Sequence, residues 1–261
     1  VYANPKNGAL IAAITTLFIL ISLSAALALP VCASLPLAYT HLKVRSAGEL
    51  IPPPPPGQTE FQTSSTKSLL EELPLFGATI LVDPGHGGSD PGAISGGVQE
   101  KDVVLNVSLL LKSKLEALGA NVDMTRDSDQ TLTLQERIDA SNRICPDVFV
   151  AVHGNSVAKK NISGIETYYY DSRDQKLADL FLDTLSRELH EQAKWSHARN
   201  LFVLDGNSVP AALVEIGYLT NSRTRALLKT SAYQDKVASA LTNSLLTYLT
   251  DRASERGCLT T

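Results

Sequence analysis

The chain has 261 residues, 44% of them hydrophobic, enough to bury one sizeable core, so length points to one folded domain with appendages. A formal net charge of −4 and a pI near 5.7 argue against a nucleic-acid partner, which would favour a basic face. The three cysteines, Cys32, Cys145 and Cys258, form no Cys-x-x-Cys pair, so neither a thiolate zinc knuckle nor a disulfide framework is suggested, and nothing favours a Cys145–Cys258 bridge.

Residues 8–40 carry no charge, and 9–29 are almost continuously apolar, long enough to span a bilayer. Residues 1–40 therefore read as a signal peptide or a membrane anchor. Small residues around Val31-Cys32-Ala33-Ser34 favour cleavage, while the length of the apolar run favours retention. Lys6 before the run and Lys43 and Arg45 after it leave the orientation rule undecided. Both readings place the rest of the chain outside the cytoplasmic membrane: periplasmic, cell-wall associated or extracellular. Residues 41–75 form a linker, in which five prolines, 52–56, and a Ser/Thr-rich stretch predict a semi-rigid spacer.

A folded domain is predicted over 76–250. Apolar runs at 78–82, 121–125, 148–152, 164–170, 201–204 and 211–216 read as strands, the fourth with alternating character. Helical stripes run over 101–118, 134–144, 176–190, 222–229 and 233–249, with residues 251–261 left as a tail. Strands alternating with helices predict an α/β fold: a mainly parallel, twisted sheet of about six strands, covered by helices on both faces, as a single catalytic domain.

Four residues spread along this domain carry chemistry. His86 stands in Val-Asp-Pro-Gly-His-Gly-Gly, Glu100 in Gln-Glu-Lys-Asp, His153 in Val-Ala-Val-His-Gly-Asn-Ser and Glu215 in Ala-Leu-Val-Glu-Ile-Gly-Tyr. Each lies at the end of an apolar run or where one passes into a loop or helix, and strand ends in an open sheet share one rim. The glycines around His86 minimise backbone bulk and would let a metal approach. No Gly-Lys-Ser/Thr follows that turn, and Asp90 occupies the place of the last glycine of a dinucleotide fingerprint, so a phosphate site is excluded. A glutamate between apolar neighbours, as in Leu-Val-Glu-Ile-Gly, needs a partner, a metal or a proton. Two imidazoles and a carboxylate make a three-ligand zinc site with a fourth position for water. A second glutamate nearby supplies the proton transfers of metal-assisted hydrolysis. His41, His190 and His197 lie in polar or helical contexts and receive no role.

Residues 80–102, Ile-Leu-Val-Asp-Pro-Gly-His-Gly-Gly-Ser-Asp-Pro-Gly-Ala through Gln-Glu-Lys-Asp, resemble the opening motif of the zinc-dependent N-acetylmuramoyl-L-alanine amidases of bacterial cell walls, the type 3 amidase family. The resemblance continues through Met-Thr-Arg-Asp at 124–127, Val-Ala-Val-His at 150–153, Gly-Ile-Glu-Thr-Tyr-Tyr-Tyr at 164–170 and Val-Pro-Ala-Ala-Leu-Val-Glu-Ile-Gly-Tyr-Leu-Thr-Asn at 209–221. It implies one zinc ion held by His86, Glu100 and His153, with Glu215 as the catalytic glutamate. The substrate implied is peptidoglycan, cut between the lactyl group of muramic acid and L-alanine; separately, a monomer that takes no nucleic acid is expected. Membrane attachment through the N-terminal apolar segment is the alternative to its cleavage.

Three departures bear on this. Gly154 replaces the usual alanine after His153. Asp205 stands where the family more often has a basic residue, which puts substrate preference in question. Some cell-division members carry an extra helix that plugs the zinc site; here Tyr170 leads almost directly into the helix at 176, so an open site is expected. Three rivals remain: another zinc peptidase, such as a carboxypeptidase, for which Arg126 and Arg137 are the nearby cations; a catalytically silent wall-binding protein; and an anchored structural protein.

Overall fold

The computed structural model describes residues 72–258. The apolar segment at 9–29 and the proline run lie outside the described residues. Among the described residues, no helix is long and apolar enough to cross a membrane.

Strand β1, Thr79–Pro84, is fully buried after its first residue. A small hairpin follows, β2 (Ile94–Ser95) and β3 (Val98–Gln99), and runs straight into helix α1, Glu100–Ala117. Helix α1 buries Val103, Val104, Val107, Leu111 and Leu115, and Glu100 and Asp102 in its first turn suit the helix dipole. It gives way at Leu118 and Gly119 to β4, Asn121–Met124. Helix α2, Leu134–Ile144, starts with a capping box, in which Thr133 Oγ1 accepts from Glu136 N and Glu136 accepts from Thr133 N.

Then come β5 (Val148–Asn155), β6 (Ile165–Tyr169), a 3₁₀ turn (Ser172–Asp174) and α3 (Gln175–Leu189). They are followed by β7 (Ala193–Ala198), a one-turn helix α4 (Phe202–Asp205) and β8 (Ala211–Tyr218). Helices α5 (Ser222–Leu228) and α6 (Ser231–Cys258) complete the fold.

The sheet has six strands in the order β4-β1-β5-β8-β6-β7. All neighbours are parallel except β6 and β8, which are antiparallel. Helices α1, α3 and α6 pack together on one face. On the other face, Ala140 and Ile144 of α2 and Val203 and Leu204 of α4 close over Leu81, Phe149, Ala151, Tyr168 and Leu213. The expected α/β architecture with two covered faces is therefore present.

Three local expectations change. The run at 201–204 is not a strand: Val203 and Leu204 reach the core from the helical turn of α4, and a short apolar run does not distinguish the two. Strand β7 has no apolar run because it is an exposed edge strand, so its sequence gives no core signal. Strand β6 does not alternate, because both of its faces are covered and Glu166 and Thr167 are buried. The closing helix also runs beyond 249. Arg252 lies over the Tyr248 ring at 5.6 Å and donates to Asp147 O, and Lys176 pairs with Asp251 and Glu255.

Candidate metal centre

Beyond β1 the chain turns sharply through Gly85 and His86. His86 sits at φ 59°, a left-handed conformation that costs a non-glycine residue roughly 1–3 kcal/mol. Two arginines hold it there. Arg126 donates from Nε to Pro84 O (3.0 Å) and from Nη2 to Gly85 O (2.7 Å). Arg137 donates from Nη1 to Pro84 O (2.9 Å) and from Nη2 to His86 O (2.7 Å), while Nη1 also pairs with Asp83 Oδ1 at 2.6 Å. Every carbonyl from 84 to 86 thus accepts from a guanidinium. Arg126 and Arg137 are 1% and 3% exposed, so neither can meet a substrate carboxylate, and the carboxypeptidase rival loses the cations it relied on.

The turn aims the His86 ring inward. Asp90 Oδ2 lies 2.7 Å from His86 Nδ1 and leaves Nε2 pointing at Glu100 Oε1, 3.0 Å away. A carboxylate on the far ring nitrogen is the outer-shell partner that fixes tautomer and orientation in metal-binding histidines. Glu100, the first residue of α1, is held on both oxygens: Oε2 accepts from Ala93 N and Oε1 from Gly154 N, each at 2.9 Å. Its Oε1 also lies 3.1 Å from His153 Nδ1 on β5. The two imidazoles meet edge to face with centroids 4.9 Å apart.

Glycines admit this packing. A Cβ on Gly85 would stand 2.2 Å from His153 Cε1, and one on Gly92 would stand 2.6 Å from His86 Cδ2. The space expected beside His86 for a metal is therefore filled at Gly85 by the His153 ring. A Cβ at residue 154 would point at Leu219 and Glu100 Cγ, away from the donor atoms, so the Gly154 departure leaves them unblocked.

Ligand atoms of His86, Glu100 and His153 lie within 4.8 Å of one another. Zinc bonds of about 2.0–2.2 Å place tetrahedral ligands roughly 3.3 Å apart, close to the 3.0 and 3.1 Å contacts that Glu100 Oε1 makes with the two imidazoles, and the N₂O donor set suits the same ion. The electrostatics agree. Burial works against protonation of His86, but its bonds to Glu100 and Asp90 outweigh that and push its pKa up to about 9. Burial likewise opposes ionisation of Glu100, yet His153 and His86 hold its carboxyl well below the usual carboxylate range. A carboxylate held between two imidazoles is a site suited to a cation.

Glu215 pairs with His153 across β5 and β8. Its Oε2 is buried with no hydrogen-bond partner. Burial lifts its pKa to about 7; His153 pulls the value down, and the carboxylates of Glu100 and Glu166 push it up. Glu166 lies opposite Glu215 on β6 and is saturated, accepting from Tyr168 Oη (2.7 Å), Asn155 Nδ2 (2.8 Å) and Tyr218 Oη. Burial and the bond to Glu166 raise the pKa of Tyr168 to about 12. Interaction with Asp205 pushes the Tyr170 hydroxyl above its ordinary pKa. The turn between β6 and α3 leaves the sheet at the end remote from Glu215, because β6 runs antiparallel to β8, so its shortness does not decide access to the site.

The structure thus brings together the four residues singled out from the sequence. Sequence reasoning missed Asp90, Glu166 and the positioning duty of Arg126 and Arg137. Only Asp90 carried a signal, four residues beyond His86 in an otherwise glycine-rich turn.

Comparison with known proteins gives the same family. The family model described as N-acetylmuramoyl-L-alanine amidase matches residues 80–247. The chain is 34% identical over 197 residues to the germination-specific N-acetylmuramoyl-L-alanine amidase of Bacillus subtilis (strain 168), covering 69% of this chain and 83% of that protein. Among solved structures it resembles the N-acetylmuramoyl-L-alanine amidase AmiC2 of Nostoc punctiforme, with TM-score 0.64 and 35% identity over 66% of this chain and 97% of that one. It also resembles the catalytic domain of CwlV, the N-acetylmuramoyl-L-alanine amidase of Bacillus (Paenibacillus) polymyxa var. colistinus, with TM-score 0.64 and 30% identity over 66% and 98%. By fold, site and sequence, the chain belongs to the N-acetylmuramoyl-L-alanine amidase family of cell-wall hydrolases.

Proposed function

We propose that His86, Glu100 and His153 hold one zinc ion and that Glu215 moves the protons as this peptidoglycan amidase hydrolyses the bond between the muramic lactyl group and L-alanine. The observation that carries the assignment is the unpartnered, buried Oε2 of Glu215, placed across one strand pair from a cluster of three donor atoms. When bound, zinc supplies a Lewis acid that polarises the amide carbonyl and lowers the pKa of water towards about 7.

Glu215 takes a proton from the attacking water as the new C–O bond forms. It then delivers that proton to the nitrogen of L-alanine as the C–N bond breaks, leaving a lactyl carboxylate and a free stem peptide. Burial that raises its pKa above the ordinary carboxylate range favours uptake of that proton, and such a group contributes roughly 10²–10⁴-fold. Asp90 orients the His86 ring, and Arg126 and Arg137 fix the backbone that carries it.

The test is digestion of purified peptidoglycan by the full chain, with mass spectrometry of released peptides, a chelator control and Glu215→Gln. Stem peptides with a free L-alanine amine, lost in both controls, support the assignment. Full release by Glu215→Gln would remove Glu215 from the reaction.

The enzyme acts at the cell wall or outside the cell, and we further propose that residues 9–29 direct its export and that it works as a monomer. Retention of those residues would tether it to the membrane, and fractionation of cells carrying a C-terminal tag separates the two outcomes.

A further inference from the structure

The chain has one tryptophan, and it is exposed. Trp195 lies on edge strand β7, 53% exposed, with its ring stacked on that of His197 at a centroid distance of 5.7 Å and an interplanar angle of 28°. Its place in the sheet gives this meaning. Strand pairing aligns His153 with Glu215, Glu215 with Glu166, and Glu166 with Trp195, one row across β5, β8, β6 and β7. Paired residues face the same side of a sheet, so the tryptophan shares the face of the catalytic glutamate. Two strand spacings put the Trp195 backbone about 10 Å from that of Glu215. His197, two residues on, points to the same side.

The residue between them is spent. Glu166 is only 5% exposed and already accepts from two tyrosines and an asparagine, so it has little left to offer a substrate hydroxyl. What this part of the rim presents is a flat aromatic surface. An exposed tryptophan held against a second ring is preorganised to receive another flat, apolar face.

We propose that Trp195 and His197 form a stacking platform for an N-acetylated hexosamine of the glycan strand. This rests on the peptidoglycan-amidase reading. In the bond to be cut, the carbonyl carbon hangs from a sugar ring by only a few covalent bonds. A substrate whose amide reaches Glu215 therefore carries its own pyranose, or the next one along the strand, over the neighbouring part of the same face. The axial C–H bonds of a pyranose meet the negative face of an indole favourably, and the acetamido methyl adds apolar contact. The platform would make the glycan a recognised part of the substrate, in addition to the stem peptide.

The single tryptophan also supplies the assay. Full-length protein is titrated with an N-acetylglucosamine tetramer, with glycan strands freed of stem peptides, and with free stem peptide, following Trp195 emission. The expected result is a saturable change with both saccharides and none with the peptide. Trp195→Ala should then lower co-sedimentation with stem-free glycan about tenfold and raise KM on intact peptidoglycan, Trp195→Phe should retain most of the binding, and His197→Ala should weaken it several-fold. Trp195 is exposed, so these variants keep the fold, which thermal melts verify.

Emission unmoved by stem-free glycan, or moved only by the stem peptide, overturns the platform. So does emission that follows protein concentration, the mark of a second copy covering the surface. The titration breaks no bond. A silent Trp195 in an enzyme that still releases stem peptides sinks the platform alone, whereas an inert enzyme whose Trp195 still reports glycan sinks the amidase assignment alone.

Discussion

Gly85→Ala tests the metal centre by geometry alone. The new methyl would sit 2.2 Å from His153 Cε1, 2.4 Å from Nε2 and 2.6 Å from Nδ1. Ordinary contact needs about 3.5 Å or more, so the imidazole must retreat by over roughly 1 Å. Metal sites tolerate ligand shifts of about 0.2 Å. His153 is then lost as a ligand while the rest of the turn, held by Arg126 and Arg137, stays in place. Gly85 is not among the residues with positive φ, so alanine meets no backbone penalty there and the effect is purely steric. Overpacking should cost about 1–3 kcal/mol of stability, a fall in Tm of a few degrees per kcal/mol. Zinc affinity should fall by at least about 100-fold, since outer-shell losses alone reach 10–100-fold. The assay is competition for zinc against a chromophoric chelator, run beside a thermal melt of the metal-free protein. A folded Gly85→Ala protein that binds zinc with unchanged affinity would refute the assignment of His153.

Three further outcomes are expected. Asp90→Ala removes the partner of His86 Nδ1 and should weaken zinc binding about 10–100-fold in the same competition assay, with the melt nearly unchanged because Asp90 is largely exposed. Arg137→Ala leaves the buried Asp83 carboxylate without its cation, with only the Thr125 hydroxyl to answer it, and frees the His86 carbonyl, and urea unfolding should show a loss of about 3–5 kcal/mol. Asp174 is buried with Oδ1 unbonded, and burial lifts its pKa above the ordinary range despite Arg173 nearby. The fold therefore disfavours its charged form. Asp174→Asn should stabilise the protein at pH 7, and that gain should shrink as pH falls towards the ordinary aspartate value; urea melts showing a gain that grows on acidification would contradict the sign.

Much of this was readable beforehand for a physical reason: a parallel sheet buried on both faces writes its strands as apolar runs, and β1, β5 and β8 did so. The donors stood out because glycine, histidine and glutamate interrupt those runs where a core would want none. The omissions share a cause as well. Strand β7 is exposed, so nothing in Ala-Lys-Trp-Ser-His-Ala demanded burial, and its tryptophan lay hidden in a segment that carried no strand signal. Arg126 and Arg137 acquire their duty only from carbonyls some forty to fifty positions away, a relation that no local pattern records. Glu166 resembled the polar half of an alternating strand, whereas its burial depends on hydroxyls delivered by Tyr168 and Tyr218.

The two guanidiniums beneath the His86 turn hold its backbone by bonds within the chain. Those bonds ask nothing of an ion, so the frame of the pocket does not depend on one being bound. On the proposed zinc assignment, a chelator should strip the ion without unravelling the turn that carries His86. Scarcity of zinc would then idle the enzyme without destroying it, and the supply of the ion would act as a reversible throttle on wall cleavage.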